Sequence, residues 1–572
     1  MRPSCKYILL FVFCFGIFFS PGSFAQSWEW AKGADHNLED NYALSVATDN
    51  HGNVYTAGYF DNSYMSLSGD TLWNASFYYP AASPYDMFLA KYDAIGNVLW
   101  AKSAVGKGNE QANSIATDPT GNVFVTGYFT SDTLIFGADT LTLSGRGLFA
   151  KAMFLVKYDA LGNVLWARTA YAADTAIVDG VRVTTDATGN VFVTGIFQSR
   201  ALYFGADTLK TIDGGQYLFT VKYDSLGNVL WARQSFNYGG SAYAGGIATD
   251  AAGCVYVAGE FSDVIISFGL DTLVSNSAPN YNLFLVKYDI SGNVVWTKTT
   301  GGTGPSDGAA ITVDVSGNLI IAGSFAGNII LGADTLNNST TTPLDAQNLF
   351  IAKGDTSGNF AWAKSAGGNS WATSLTSDAL GDIYLSGGFT SASTSTYGLT
   401  NRGGSDILVA GYNTVGDLIA ATSIGNGGND VASAITLDNA GHMYMTGYFD
   451  AVLSSSLSFG SILFPGYGYT DLFLAKYDFT SSGVLSVDNP VQGFVAYPNP
   501  LTGQQALSVT FNAGQFNNMA VYNSLGQQVY SCAVSVLETS KQINLPQLTS
   551  GIYCIEATGT ATKASITFVI NN

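Results

Sequence analysis

The sequence predicts an all-β fold, and three features carry that prediction. Two short patterns alternate along most of the chain, each has the form strand, turn, strand, and no stretch shows the apolar spacing of a helix. The first pattern is Asp-x-x-Gly-Asn followed by an apolar strand ending in Gly-x-Phe. It starts at Asp49, Asp118, Asp186, Asp250, Asp314, Asp378 and Asp438. The second is Phe-Leu-Ala-Lys-Tyr-Asp, a short turn, then Asn-Val-Leu-Trp-Ala-Lys. Its copies begin at Phe88, Phe154, Phe219, Phe284, Phe350, Ile407 and Phe473.

Each element follows from its residues. Ser114 to Thr117 and Val123 to Phe129 alternate apolar with small or polar residues around the turn Asp118-Pro119-Thr120-Gly121-Asn122, which predicts a hairpin. Phe88 to Tyr92 and Val98 to Lys102 flank Asp93-Ala94-Ile95-Gly96-Asn97 and predict a second, giving four strands per unit. Successive Asp positions lie 69, 68, 64, 64, 64 and 60 residues apart. That period suits one four-stranded blade plus an extra loop or short hairpin, and is too long for a leucine-rich or ankyrin unit. The last unit has Phe473 to Asp478 but no Trp-Ala-Lys strand after it, and Trp28-Glu29-Trp30-Ala31-Lys32 supplies one. The expectation is a seven-bladed β-propeller over residues 26–485, closed by its N-terminal strand so that no sheet edge stays open. Over about residues 28–480 the units resemble the β-propeller (SBBP) repeats of bacterial secreted proteins, a likeness that speaks to fold and not to activity.

The termini frame this body. Basic residues Arg2 and Lys6, an apolar run from Tyr7 to Phe19, a Pro21-Gly22 break and the small-residue end Ser23-Phe24-Ala25 read as a secretory signal peptide over residues 1–25, cut between Ala25 and Gln26. The apolar run is shorter than the roughly 20 residues of a spanning helix, and no later segment qualifies, so no transmembrane segment is expected. Of five cysteines, Cys254, Cys532 and Cys554 outlast the leader, and a Cys532–Cys554 disulfide is left open. Apolar residues make up 47% and charged residues 11%, enough for a large core. The formal net charge of −19 becomes −21 without Arg2 and Lys6, a surface that repels nucleic acid.

Residues repeated in every unit read as scaffold. The Asp turns lack the dense acidic spacing of a calcium loop, so Asp is expected to bond its own turn while Gly takes the left-handed conformation. Lys91, Lys157, Lys222, Lys287, Lys353 and Lys476 lie inside strands and need neighbouring Asp partners. Trp30, Trp100, Trp166, Trp231, Trp296 and Trp362 are expected to pack between blades. Function is sought where a copy departs from its siblings. Four places before the turn Asp stand Ser45, Ser114, Gly246, Ala310, Ser374 and Ala434, but Arg182 in the third unit. Arg182 is a weak ligand-binding candidate, for an anionic group, while pairing with Asp179 or Asp186 is the favoured expectation. The sixth unit carries Gly411, Asn413 and Ala420 for the usual Lys, Asp and Trp, which opens a groove unless neighbours repack. His36, His51 and His442 lie far apart in sequence, so no catalytic, cofactor or metal residues are assigned, although carboxylate pairs form in space rather than in sequence.

After a linker at 486–492 the pattern changes. Tyr497-Pro498-Asn499-Pro500, then Leu525-Gly526-Gln527-Gln528-Val529, then Leu548-Thr549-Ser550-Gly551-Ile552-Tyr553 are set among short alternating strands. These predict a small β-sandwich of about seven strands. Residues 493–572 are similar to the type A C-terminal sorting domain of the type IX secretion system of Bacteroidetes. The motif residues are Tyr497, Pro498, Asn499, Pro500, Gly526, Gly551 and Tyr553, with Asn523 where that family commonly has Asp. The resemblance implies periplasmic transit, export by the type IX machinery, and a secreted or cell-surface product. The reading is a non-catalytic binding or adhesion module for a glycan or protein, with no cofactor and no nucleic-acid partner. A secreted polysaccharide hydrolase or lyase and a purely structural surface protein are the alternatives.

Overall fold

The computed structural model describes residues 27–478 and 495–571, apart from short stretches of which the longest are 35–39, 76–83, 144–149, 276–280, 339–346, 391–396 and 451–455. Among them the chain is all β. Strands Asn41–Thr48, Val54–Phe60, Asp86–Tyr92 and Val98–Lys102 pair in that order as one antiparallel sheet. The same order recurs in the next five repeats, with innermost strands Glu110–Thr117, Ile177–Thr185, Ala242–Thr249, Ala310–Val313 and Ser370–Ser377. A further sheet holds Asp430–Leu437, His442–Asp450, Thr470–Asp478 and, as its outer strand, Ser27–Lys32 from the far end of the chain. Short hairpins such as Tyr64–Leu67 with Asp70–Trp73 fill the extra length of the repeat. This is a β-propeller-like arrangement: the innermost strands neighbour one another in succession, and the strand at Asp430–Leu437 neighbours that at Asn41–Thr48.

The repeated residues explain why the sheets form and stack. Asp49 Oδ1 accepts the backbone N–H groups of His51 (2.9 Å) and Asn53 (3.0 Å), Oδ2 accepts Asn53 Nδ2 (2.8 Å), and Gly52 closes the hairpin at φ 78°. The same carboxylates hold the buried lysines, at 3.6 Å for Lys91–Asp49, 3.3 Å for Lys157–Asp118 and 2.9 Å for Lys353–Asp314. Each tryptophan reaches the next sheet: Trp100 Nε1 donates to Ala160 O (3.3 Å) and Trp231 Nε1 to Ile290 O (3.1 Å). Thr117 Oγ1 donates to Thr48 O (2.7 Å) and Thr185 Oγ1 to Thr117 O (2.8 Å), tying inner strands to their predecessors. The cores run between sheets; Tyr55 and Ala57 of one and Val125 and Phe154 of the next are fully buried in a single cluster.

The Gly-x-Phe glycine has a steric cause. Inner strands carry a register shift, as between Ala112 and Ser114, that brings the Gln111 carbonyl against the neighbouring strand. A Cβ on Gly127 would lie 1.8 Å from that oxygen. In the sixth unit, the Tyr384 ring stands within 3.4 Å of where a Gly411 Cβ would be, so it covers the space left by the missing lysine side chain.

The C-terminal segment forms two sheets around one core. One pairs Val495–Tyr497, Leu507–Thr510 and Ser540–Ile543; the other pairs Leu501–Thr502, Lys563–Asn571, Gly551–Thr558, Asn518–Asn523 and Gln528–Ala533. Leu507, Val509, Met519, Val521 and Ile555 are buried in the core they share. Cys532 carries a free thiol. Its strand lies on the opposite side of Asn518–Asn523 from the strand of Cys554. Two strand spacings, about 9.5 Å, exceed the roughly 7 Å Cα limit of a disulfide.

Candidate functional site at the irregular face

All the Asp-Gly turns lie at one end of the sheets, and the opposite end receives the start of each inner strand and the end of the strand beside it. At the turn end most sheets repeat the same chemistry. At the opposite end one register position differs in each: Tyr42 faces Tyr59, Gln111 faces Tyr128, Asp179 faces Ile196, Tyr243 faces Glu260, Trp371 faces Gly388, and Val431 faces Tyr448. A packing constraint common to all blades would select one residue type there, so the variation marks the face freed from the scaffold's demands.

Aromatic rings gather on part of this face. Tyr42 stacks on Tyr59 with ring centroids 4.7 Å apart, Tyr59 lies 4.7 Å from Tyr85, and Tyr42 meets Tyr448 edge-on at 4.8 Å. Burial and neighbouring tyrosines push the Tyr59 hydroxyl above its ordinary range. Tyr85 and Tyr128 share a hydrogen bond through their hydroxyls, Tyr128 donates to Gln111 Oε1 (3.1 Å), and Lys151 Nζ stands 3.7 Å above the Tyr128 ring. Gln111 Nε2 donates to Asn113 Oδ1 (2.8 Å), and Asn113 Nδ2 to Asp179 (2.7 Å), so a polar chain runs from the tyrosines to the third repeat. Burial pushes Asp179 up to about 6.

That chain ends beside the axis. The innermost strands line a cavity of about 160 Å³, with Ser45, Ser114, Gly246 and Ser374 on its wall and Arg182 its one charged lining residue. Ser114 Oγ accepts the Val183 N–H (3.2 Å), as Ser45 Oγ accepts that of Ile115 (3.1 Å). Arg182 is too long for that role and stands half-buried at the cavity. Neither carboxylate expected as its partner takes it. Asp186 is held by its own turn and by Lys222 at 3.7 Å, and no carboxylate reaches the Arg182 guanidinium within 4.0 Å among the described residues. Its NH1 donates to Val181 O (3.1 Å), and burial opposes its charge while the Asp179 field supports it. A guanidinium carries five N–H donors, so this one faces the cavity with donor capacity to spare.

Two fully buried carboxyl pairs form in space, each between adjacent repeats, and a third, Glu260 with Asp307, stands half-buried. Asp86 and Glu110 are fully buried, as are Asp406 and Asp430. Asp86 Oδ1 and Glu110 Oε2 find no donor among the described residues, a deficit that one shared proton removes. Burial and the Asp86 charge push Glu110 up to about 9, and burial pushes Asp86 to about 6. The Asp86–Glu110 and Asp406–Asp430 pairs are sealed from solvent, so neither of these two has the water access that glycoside hydrolysis needs. Their folded values lie above the ordinary range near 4, so the stability they contribute is full below about pH 4 and lost as pH rises through 6 to 9. Glu110→Gln is therefore expected to flatten the fall in melting temperature between pH 6 and pH 9. An unchanged slope in parallel melts would contradict the shared proton.

The other sequence-predicted positions separate into described and undescribed ones. Ala25, Gln26, Pro498, Asn499, Pro500 and Gly526 lie outside the described residues. Tyr497 ends the strand Val495–Tyr497, Gly551 opens Gly551–Thr558, and Tyr553 is buried in the C-terminal core. Sequence reasoning missed a group at the chain's seam, where Glu29, His442 and Asp478 come together. A signal existed: at the fifth turn position the siblings are Asn53, Asn122, Asn190, Cys254, Asn318 and Asp382, and histidine occurs there once.

The architecture places this chain among proteins with a β-propeller-like fold. Residues 495–571 match the secretion system C-terminal sorting domain, which marks the chain as cargo of the type IX secretion system, with secretion or an outer-surface location as its destination. The chain is also similar to an uncharacterized WD repeat-containing protein, L264, of Acanthamoeba polyphaga mimivirus, at 24% identity over 78% of this chain and 38% of that protein. It thus spans less than half the length of that relative. Among solved structures it is similar to Sqt1 from Chaetomium thermophilum (8% identity, 78% of this chain and 99% of that one, TM-score 0.37). It is also similar to a protein of unknown function from Bacteroides caccae (11% identity, 59% and 89%, TM-score 0.29). No helix among the described residues is long and apolar enough to cross a membrane.

Proposed function

We propose that the chain is an exported binding module: a signal peptide at 1–25, a seven-bladed propeller over 26–485 closed by its first strand, and a sorting β-sandwich at 493–572. The pairing of Ser27–Lys32 with Thr470–Asp478 supports the closure, and two sheets on one core support the sandwich. The ligand is a glycan bound on the irregular face, its sugar rings on the tyrosines around Tyr42 and Tyr59 and an acidic substituent at Arg182. The observation that carries this reading is the face itself, variable from blade to blade, with a hydrogen-bond chain that runs from its tyrosines to Asp179, whose charge acts on Arg182 at the cavity. The chain's net charge of −19 disfavours a densely anionic polymer and leaves a sparsely charged one.

The full chain on a polysaccharide array, scored for retention and for new reducing ends, tests this. Arg182→Ser restores the residue of the sibling blades and is expected to weaken binding of uronate-bearing glycans roughly tenfold or more, the scale of a hydrogen bond to a charged group. Tyr59→Ala is expected to weaken neutral and acidic glycans alike. Cleavage products would overturn the non-catalytic reading, and full retention by both variants would move the site elsewhere.

A further inference from the structure

The blade that joins the two ends of the repeat breaks three patterns that most of the other blades keep. Where the siblings carry Leu99, Leu165, Leu230 or Val295 before their tryptophan, the first strand carries Glu29. Where most carry asparagine, this blade carries His442. Its buried lysine also changes partner: Lys476 Nζ lies 2.8 Å from Glu29 Oε2, while its siblings sit on their turn aspartates. His442 is directly opposite Asp478, and Asp478 is directly opposite Ser27, so three neighbouring strands contribute to one spot. Ligand-capable atoms of Glu29, His442 and Asp478 all lie within 4.8 Å of one another.

The imidazole is also oriented. In four siblings the turn asparagine donates Nδ2 to the turn aspartate Oδ2, as Asn53 does to Asp49 at 2.8 Å. His442 Nδ1 takes that place, 2.8 Å from Asp438 Oδ2, which leaves Nε2 as the nitrogen available to a ligand. A carboxylate that fixes one imidazole nitrogen while the other is offered outward is the usual arrangement behind a metal-bound histidine. Glu29 Oε1 is likewise not the oxygen Lys476 holds.

We propose that Glu29, His442 and Asp478 form a site for a divalent cation of the zinc class, which clamps the first strand to the last blade. One imidazole and two carboxylates suit such an ion, with water completing its shell; magnesium or calcium would want more oxygens. Only the closed chain assembles the three ligands, because Glu29 is more than 400 residues from His442. Metal therefore stabilises closure by mass action, and its removal loosens the seam first. The site is independent of the glycan face, since it lies at the turn end of the sheets.

The test uses the full chain stripped with chelator and titrated with zinc by calorimetry, then with cobalt by visible absorption. The expected result is one equivalent of zinc, a higher melting temperature with metal, and a cobalt d–d band. His442→Asn and Glu29→Leu install sibling-type residues, so both should fold, and each is expected to weaken zinc roughly tenfold or more. No uptake by the stripped chain would overturn the proposal, and so would uptake by both variants equal to that of the parent in melts that show them folded.

Discussion

Deletion of residues 27–32 is expected to lower the melting temperature by on the order of 10 °C and to make the chain self-associate. The strand Ser27–Lys32 is the outer partner of Thr470–Asp478, and no other strand among the described residues takes that edge. Trp28 packs edge-on against Phe459 at 5.0 Å and Tyr477 at 4.9 Å, and Trp30 lies 6.0 Å from Tyr444. Two half-buried tryptophans at about 1.5–3 kcal/mol each, with aromatic pairs at about 0.5–1.5 kcal/mol beyond burial, put the loss near 5 kcal/mol before ladder hydrogen bonds are added. The exposed Thr470–Asp478 edge then offers unpaired backbone to other copies. Calorimetry with light scattering reads both effects. A melting temperature within about 2 °C of the parent, with no association, would show that the first strand is dispensable.

Asp186→Ala is expected to cost about 3–5 kcal/mol, the scale of breaking one partner out of a buried ion pair. Asp186 Oδ1 accepts the N–H groups of Thr188 and Asn190, each at 3.0 Å, and the Thr188 hydroxyl at 2.7 Å. Its Oδ2 accepts Asn190 Nδ2 (2.8 Å) and faces Lys222, whose side chain is only 2% exposed. Removing the carboxylate unties the turn and strands an ammonium in the core. Burial raises the Asp186 pKa, yet the hydrogen bonds from Thr188 and Asn190 outweigh it and hold the value below the ordinary range. The stability from this group is therefore present above about pH 4 and lost as pH falls below it. Urea melts of Asp186→Ala, Lys222→Met and the double variant separate the two parts. The double variant should recover the part due to the stranded charge, and equal losses in the single and double variants would place the whole effect in the turn.

Where the sequence was legible and where it was not follows from the repeat. Seven copies of one pattern average out local accidents, so the hairpins, the Lys–Asp pairs and the cross-sheet tryptophans could be read from any two copies. Lys476 is the exception, because its partner Glu29 stands at the other end of the chain. Arg182 was visible as a departure from its siblings, but neither expected partner forms an ion pair with it within 4.0 Å among the described residues, and Asp179 acts on it only through its charge. Sequence proximity suggested Asp186, whereas the turn and Lys222 already claim that carboxylate. The tyrosine face was not singled out, because Tyr42, Tyr59, Tyr85 and Tyr448 come from two different blades and look like ordinary strand aromatics one at a time.

The amino-acid sequence alone determined the all-β class, the period, the matching first strand and the sorting domain, because each depends on local turn chemistry or on spacing repeated along the chain. The tertiary structure alone decided which departures converge. The cavity around Arg182 and the sealed Asp86–Glu110 pair join residues from different repeats, and the Glu29–His442–Asp478 cluster joins the two ends of the chain within one sheet. Such groups meet only when the innermost strands stand side by side and the chain's two ends share a sheet, since contact between blades is set by packing and not by separation in sequence.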